Sequence, residues 1–167
     1  MPNLASGGAS PSQRERLWQI DFLVRFRGQV TRQDLVRRFG IALSNATRDF
    51  TLYRQLAPGN LDYDHSDKVY RRTPGFQPLF TYDREHTLQT LTLGQGVGLE
   101  ACVQPILVDA APTLNQPDLD VLAVVARTIY AGKALLIRYF SVSSGETTRE
   151  IVPHSLVNTG LRWHVRA

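Results

Sequence analysis

Ser44, Asn45, Thr47, Arg48 and Thr51 alternate with Ala46, Phe50 and Tyr53 at helical spacing. If the three apolar side chains face a core, the five polar ones share the opposite face near the start of one helix. Donors and acceptors so placed suit the edges of base pairs. An arginine fork matches O6 and N7 of guanine and an asparagine amide matches N6 and N7 of adenine, which makes Arg48 and Asn45 the candidate base readers. Ser44 and Thr47 suit phosphate oxygens, aided by backbone N–H groups at the helix start. Arg32, Arg37 and Arg38 upstream, and Arg71 and Arg72 downstream, would add contacts to a phosphate backbone. On a lone helix such a polar face is ordinary solvated surface, so the neighbouring elements decide its meaning.

Residues 14–27 place Leu17, Ile20 and Val24 on one stripe with Trp18 and Phe22 beside it, a helix with a wide buried face that Gly28 stops. Thr31 is suited to cap a second helix, with Gln33 and Asp34 in its first turn, Leu35, Val36 and Phe39 as its apolar face, and Gly40 as its stop. Ser44 is suited to cap the third, which ends before Pro58-Gly59. The connection between the second and third helices is only about four residues, the length expected of a helix-turn-helix. Leu61-Asp62-Tyr63-Asp64 and Lys68-Val69-Tyr70-Arg71-Arg72 then alternate in character around the polar turn His65-Ser66-Asp67, a β-hairpin pattern. Three helices followed by a hairpin with a basic second strand predict a winged helix-turn-helix with double-stranded DNA as its partner.

Charge is distributed in the same sense. The 167 residues carry a net +4, but residues 1–75 carry +5, residues 76–120 carry −5 and residues 121–167 carry +4. Pro74-Gly75 and Pro78 mark the first seam, and Pro112 and Pro117 the second. Two basic modules joined by an acidic connector are therefore expected. Ordinary globular composition, with 43% hydrophobic and 20% charged residues, argues against a wholly disordered chain. Cys102 is the single cysteine, so no internal disulfide can form, and no Cys/His spacing suits zinc. His65 and His86 read as surface residues, and no metal or cofactor is expected. Residues 1–12 lack an apolar stretch and read as a disordered tail, and no run approaches a membrane span. The expected location is the cytoplasm.

Within the connector, Leu88, Leu91 and Leu93 suggest a short helix over residues 83–93, ended by Gly94, Gly96 and Gly98. It is either a dimer or inter-domain contact or ordinary packing. Pro105-Ile106-Leu107-Val108 is too short to assign. Asp118 is suited to cap a helix that buries Leu119, Leu122, Val125, Ala126 and Ile129 and stops at Gly132. Leu135-Leu136-Ile137-Arg138-Tyr139-Phe140, residues 147–152, Ser155-Leu156-Val157 and Leu161-Arg162-Trp163-His164-Val165 then read as strands of a small antiparallel, barrel-like sheet. Glu150, His154 and Ser155 are the polar centre an enzyme would need there. No nucleophile elbow, metal set or phosphate loop accompanies them, and a binding protein is expected instead.

Residues 129–167, with Arg138-Tyr139-Phe140-Ser141, Arg149-Glu150-Ile151-Val152-Pro153-His154-Ser155-Leu156 and Gly160-Leu161-Arg162-Trp163-His164-Val165-Arg166-Ala167, resemble the WYL domain of bacterial transcriptional regulators. Asp34-Leu35, Phe39-Gly40-Ile41 and Tyr53-Arg54-Gln55-Leu56-Ala57-Pro58-Gly59-Asn60-Leu61 extend the resemblance to the BrxR/CapW subgroup, repressors of anti-phage defence operons. In the name-giving triplet only Trp163 matches, with His164 and Val165 in place of Tyr and Leu. The resemblance implies an α+β chain: a tail at 1–12, a winged helix-turn-helix at 13–75, a connector with a dimerisation helix at 76–117, and a WYL domain at 118–167 built as an Sm-like (SH3-like) barrel. That barrel is expected to continue past Ala167, which would leave the sensor incomplete. It also implies a homodimeric repressor on an inverted-repeat operator, with a ligand-responsive activator or RNA polymerase adaptor as the alternative. The implied ligand is a nucleotide or nucleic-acid fragment, and Tyr139, Ser141, Arg149, His154, Arg162 and His164 are its candidate pocket. Their chemistry agrees, since arginine forks bind phosphate and Tyr and His stack on bases. The alternative places Tyr139 and Trp163 in the core and the arginines on strand surfaces.

Overall fold

A computed structural model describes residues 10–93, 108–109, 116–143, 145–159 and 161–167. The expected tail up to residue 9, Cys102, Gly94, Gly96, Gly98 and most of the apolar run at 105–108 lie outside the described residues. The described residues fall into two compact units, divided between Asp83 and Arg84.

The first unit is built on helix α1 (Pro11–Phe26). Ser10 caps it by accepting from the Gln13 N–H at 3.2 Å, and Pro11 occupies its first turn, where a missing N–H costs nothing. The helix thus begins inside the segment expected to be a tail. Its burial is also wider than the stripe predicts, because Leu17 and every residue from Gln19 to Phe26 are buried. Helices lie against one side and the segment after the hairpin lies against another, where Tyr82 packs on Trp18, Phe22 and Phe26 with ring centroids 5.7–6.0 Å away.

Strand β1 (Gln29–Val30) leads into α2 (Arg32–Phe39). Thr31 and Asp34 form a reciprocal capping box: the Thr31 hydroxyl accepts from the Asp34 N–H at 3.1 Å, and the Asp34 carboxylate accepts from the Thr31 N–H at 2.7 Å. Gly40 ends the helix at φ 62°, a left-handed conformation that a side chain would strain. Helix α3 (Leu43–Leu56) starts earlier than expected. Its cap position is Ala42, without a side-chain hydrogen bond, and Ser44 lies in the first turn and not at the cap. The turn between α2 and α3 is consequently three residues, 40–42.

Strands β2 (Leu61–Asp64) and β3 (Val69–Arg72) form the expected hairpin, and Asp64 organises its turn by accepting from the Ser66 and Asp67 N–H groups. The sequence reading missed β1, whose two residues pair with Tyr70 and Arg71 and complete a sheet of order β1-β3-β2. Tyr70 stacks on Phe50 of α3 at 4.2 Å and 14°, fixing the hairpin to the third helix.

In the second unit, helix α4 (Arg84–Leu93) buries Leu88 and Leu91. Strand β4 (Val108–Asp109) follows, then α5 (Leu119–Ala131), capped by Asp118 on the Asp120 and Val121 N–H groups and ended by Gly132 at φ 59°. Leu122, Ala123, Val125 and Ala126 form its buried face. Strands β5 (Leu135–Ser141) and β6 (Gly145–Ile151) pair antiparallel over seven positions, and β7 (Ser155–Asn158) pairs antiparallel with β8 (Trp163–Arg166). β4 adds parallel to β7, through Val108 and Asp109 opposite Leu156 and Val157. This departs from the all-antiparallel expectation. A two-residue strand leaves almost no periodicity to read, and its partner lies more than forty residues away. Among the described residues the strands form open sheets, not a closed barrel.

Candidate nucleic-acid interface

Helix α3 owes its orientation to the residues on its inner face. Ala46, Asp49, Phe50 and Tyr53 are buried, while Ser44, Asn45, Arg48 and Thr51 are exposed and Thr47 is half-buried. Asp49 is 1% exposed and receives Arg16 of α1 at 2.6 Å and the Gln13 amide at 3.1 Å. Tyr53 donates to Asp21 of α1 at 2.5 Å. The helix is therefore held by charge and hydrogen bonds as well as by packing, and the opposite face is free for recognition. Among the described residues Ser44, Asn45 and Arg48 have no side-chain hydrogen bond or ion pair. Thr47 and Thr51 instead donate to the carbonyls of Leu43 and Thr47 one turn earlier, at 2.9 and 3.0 Å, and keep lone pairs for an acceptor role only.

A groove of about 580 Å³ opens beside this face, lined in part by Arg32, Gln33 and Arg37 of α2, Leu43 of α3 and Lys68 of the hairpin turn. Arg32 donates to the Tyr63 hydroxyl at 3.0 Å and lies over its ring at 5.7 Å, so the start of α2 is tied to the hairpin. Sequence reasoning missed two residues here. Lys68 sits at the hairpin turn with φ 56°, and its charge beside a polar turn was the available signal. Leu43 is 54% exposed at the first position of α3, an apolar contact suited to a thymine methyl, but it was hidden by placing the cap after it.

The structure turns two of the expected phosphate contacts inward. The Arg38 side chain is 5% exposed, lies over the Phe39 ring at 5.1 Å and faces Glu15 of α1 at 3.9 Å. Arg72 is half-buried over the Phe76 ring at 5.0 Å and donates to the Thr73 carbonyl at 3.2 Å. Burial, and then the neighbouring Arg25 charge, lower its pKa. Both arginines satisfy helical or strand periodicity from sequence, but the packing of α1 and of residue 76 was not legible there.

Arg71 stays on the hairpin surface in an ion-pair cluster with Asp64, at 3.0 Å, and Asp67, and it also donates to the Gln29 amide at 3.0 Å. The Arg71 hydrogen bond, with the Asp67 N–H second, holds the Asp64 carboxyl below the ordinary aspartate range. Because this pKa is depressed in the folded state, its contribution to stability is present above the unfolded value of roughly 3.9 and is lost as pH falls through the folded one. An NMR carboxyl titration should find Asp64 below that value, and Arg71→Ala should move it upward; an unchanged titration would dissolve the cluster.

The ligand candidates lie on two sheets of the second unit. By register Tyr139, Ser141 and Arg149 share one face of the β5–β6 pair, and the Arg149 guanidinium lies 4.4 Å from the Tyr139 ring centre. Both side chains are exposed. Arg149 also donates to the Thr147 hydroxyl at 3.2 Å, while the Ser141 hydroxyl contacts that of Ser143 at 3.0 Å. His154 precedes β7 and is exposed, its backbone N–H donating to the Arg166 carbonyl at 2.9 Å. Arg162 is exposed just before β8 and His164 is exposed within it, opposite Val157. The Trp163 ring is half-buried. No group of three His, Cys, Asp or Glu among the described residues is placed to hold a metal, and no described helix is long and apolar enough to cross a membrane.

Residues 12–93 match the BrxR transcriptional regulator winged helix-turn-helix domain, and residues 120–167 match the WYL domain. The class is thus a winged helix-turn-helix joined to a WYL domain. Among similar proteins are those named DNA-binding transcriptional repressor CapW from Escherichia coli, 37% identical over 96% of this chain, and from Pseudomonas aeruginosa, 35% identical over 96%. The protein of the same name from Stenotrophomonas maltophilia is 35% identical over 98% of the chain. The chain thus carries a BrxR-type winged helix-turn-helix domain and a WYL domain, and is similar over nearly its whole length to these CapW repressors. It spans 56–58% of the length of those relatives.

Proposed function

We propose that the protein is a sequence-specific DNA-binding transcriptional repressor. The observation that carries this reading is the exposed, unpartnered Ser44, Asn45 and Arg48 face of α3 beside a groove bearing Arg32, Arg37 and Lys68. In a homodimer two such helices would enter successive major grooves about 34 Å apart on an inverted repeat and block a promoter by occupancy. Helix α4, within the acidic connector, is the candidate dimer contact. The names of the relatives support repression. That the controlled genes are an anti-phage defence operon is proposed only from the motif resemblance to the BrxR/CapW subgroup. The function is binding, in the cytoplasm, without a catalytic step.

The WYL domain is proposed to take an anionic ligand of the nucleotide or nucleic-acid class. Arg149 and Arg162 would meet phosphate, and Tyr139, His154 or His164 would stack on a base, with Ser141 adding a hydrogen bond. The ligand relieves repression only if it binds the DNA-competent and incompetent states unequally.

Selection of duplexes from a randomised pool tests the DNA reading directly: enrichment of an inverted repeat supports it, and recovery of unselected sequence sinks it. A promoter reporter then separates repression from activation, since deleting the gene raises transcription in the first case and lowers it in the second. Arg149→Ala and Arg162→Ala should leave operator binding within about twofold, as expected of exposed substitutions in the other unit, while abolishing induction. Loss of operator binding in both, with circular dichroism unchanged, would assign these arginines to DNA instead of a ligand.

A further inference from the structure

Residues 77–82 have neither helix nor strand, yet the side chains of Asn60 and Asp21 satisfy backbone groups of Gln77, Leu79 and Phe80. Asn60 accepts from the Gln77 N–H at 2.9 Å and donates to the Gln77 carbonyl at 2.7 Å. The Asp21 carboxylate, 0% exposed in the middle of α1, accepts from the Leu79 N–H at 3.1 Å, from the Phe80 N–H at 3.4 Å and from the Tyr82 hydroxyl. The same carboxylate accepts from Tyr53 of the recognition helix at 2.5 Å, and Asn60 reaches the Tyr53 hydroxyl at 3.1 Å. Among the described residues these hydrogen bonds of the strap all end on Asp21 or on Asn60, and both of these also hold Tyr53. The Tyr82 ring adds an apolar seal over the α1 aromatics, with the Arg25 guanidinium 4.9 Å from its centre. Tyr82 precedes Asp83, from which the chain passes into α4.

We propose that Asp21, Tyr53 and Tyr82 form a positioning relay in which the strap at 77–82 and the recognition helix share one buried carboxylate, so that release of the strap alters how α3 presents Asn45 and Arg48. The proposal rests on the DNA-binding reading of α3. Its physical basis is stoichiometric. A buried carboxylate must keep its donors, and withdrawing the strap removes the Leu79, Phe80 and Tyr82 donors at once and leaves Tyr53 alone against an undersatisfied charge. The side chain of α3 that remains bonded must then shift or break, and Tyr53 lies on the same helix as the base readers.

Tyr82→Phe in the full chain removes one hydroxyl and keeps the ring, and Tyr53→Phe does the same from the α3 side. Amide hydrogen exchange should quicken about tenfold at Leu79 and Phe80 in Tyr82→Phe, with a smaller rise over residues 49–54 of α3. The affinity ratio between the duplex that wild type selects and random duplex should fall roughly threefold to tenfold, with random-duplex affinity retained. The two substitutions together should be non-additive in that ratio. A lowered melting temperature with unchanged ratio, or unchanged exchange in α3, makes the network scaffold only and overturns the relay. If wild type selects no duplex, the DNA reading falls by itself, and exchange in α3 alone then decides the relay: a rise upholds the coupling and no rise overturns it.

Discussion

Arg48→Ala should cost the protein its discrimination between operator and random DNA, by about tenfold to a hundredfold for each half-site, the worth of one bidentate base contact. The side chain is exposed on the outer face of α3 and, among the described residues, has no hydrogen-bond or ion-pair partner to lose, so folding should be unaffected. Non-specific affinity should change much less, because it comes from phosphate neutralisation by many cations. Lys68→Ala is the contrast: it should weaken operator and random duplex alike and reduce the salt slope by about one. A salt titration by fluorescence anisotropy on both duplexes distinguishes the two patterns. An Arg48→Ala variant that still prefers the operator as wild type does would remove Arg48 from base reading.

Arg16→Met should produce the largest loss of stability, about 3 kcal/mol, because it leaves the buried Asp49 carboxylate with only the Gln13 amide as a charge-independent donor. For a unit of this size that is a fall of roughly 12 °C or more in melting temperature. Arg16→Met combined with Asp49→Leu should recover most of the loss, since an apolar pair of similar volume replaces an orphaned charge. Trp18 lies on the same helix, and with Trp163→Phe as background it is the sole tryptophan reporter of this unit. Thermal melts followed by its fluorescence should show the single variant melting first and the double variant near wild type. Equal melting of Arg16→Met and wild type would mean that solvent already screens Asp49.

Local patterns in the chain were sufficient for the elements around the recognition helix. Thr31 and Gly40 bracket α2 by capping chemistry that depends on neighbours three or four residues away, and Asp118 and Gly132 do the same for α5. The 3.6-residue recurrence of Ala46, Phe50 and Tyr53 sorted the α3 side chains into two faces, with Asn45 and Arg48 on the outer one. Ser44 was misplaced by two positions because an oxygen-bearing side chain is the usual cap signal, whereas the observed cap, Ala42, carries none.

What escaped the local reading depends on contacts distant in sequence. Arg38 and Arg72 are basic and near the hairpin or α2 surface by periodicity, yet α1 packs on one and residue 76 on the other. Strands β1 and β4 are two residues long, too short for alternation to register, and exist only because β3 and β7 offer free edges. The strap at 77–82 carries no pattern of its own, since Asp21 and Asn60 hold it from positions between seventeen and sixty-one residues away.

Composition and spacing alone decided that this chain has a helix-turn-helix with a basic hairpin and a second β-rich module, because propensity, capping and amphipathic periodicity act over a few residues. Only the tertiary structure decided which arginines face solvent, that Asp49 and Asp21 anchor the recognition helix to α1, and that a strap without secondary structure shares that anchor. A buried carboxylate collects its donors from wherever the fold brings them, and no local pattern encodes that choice.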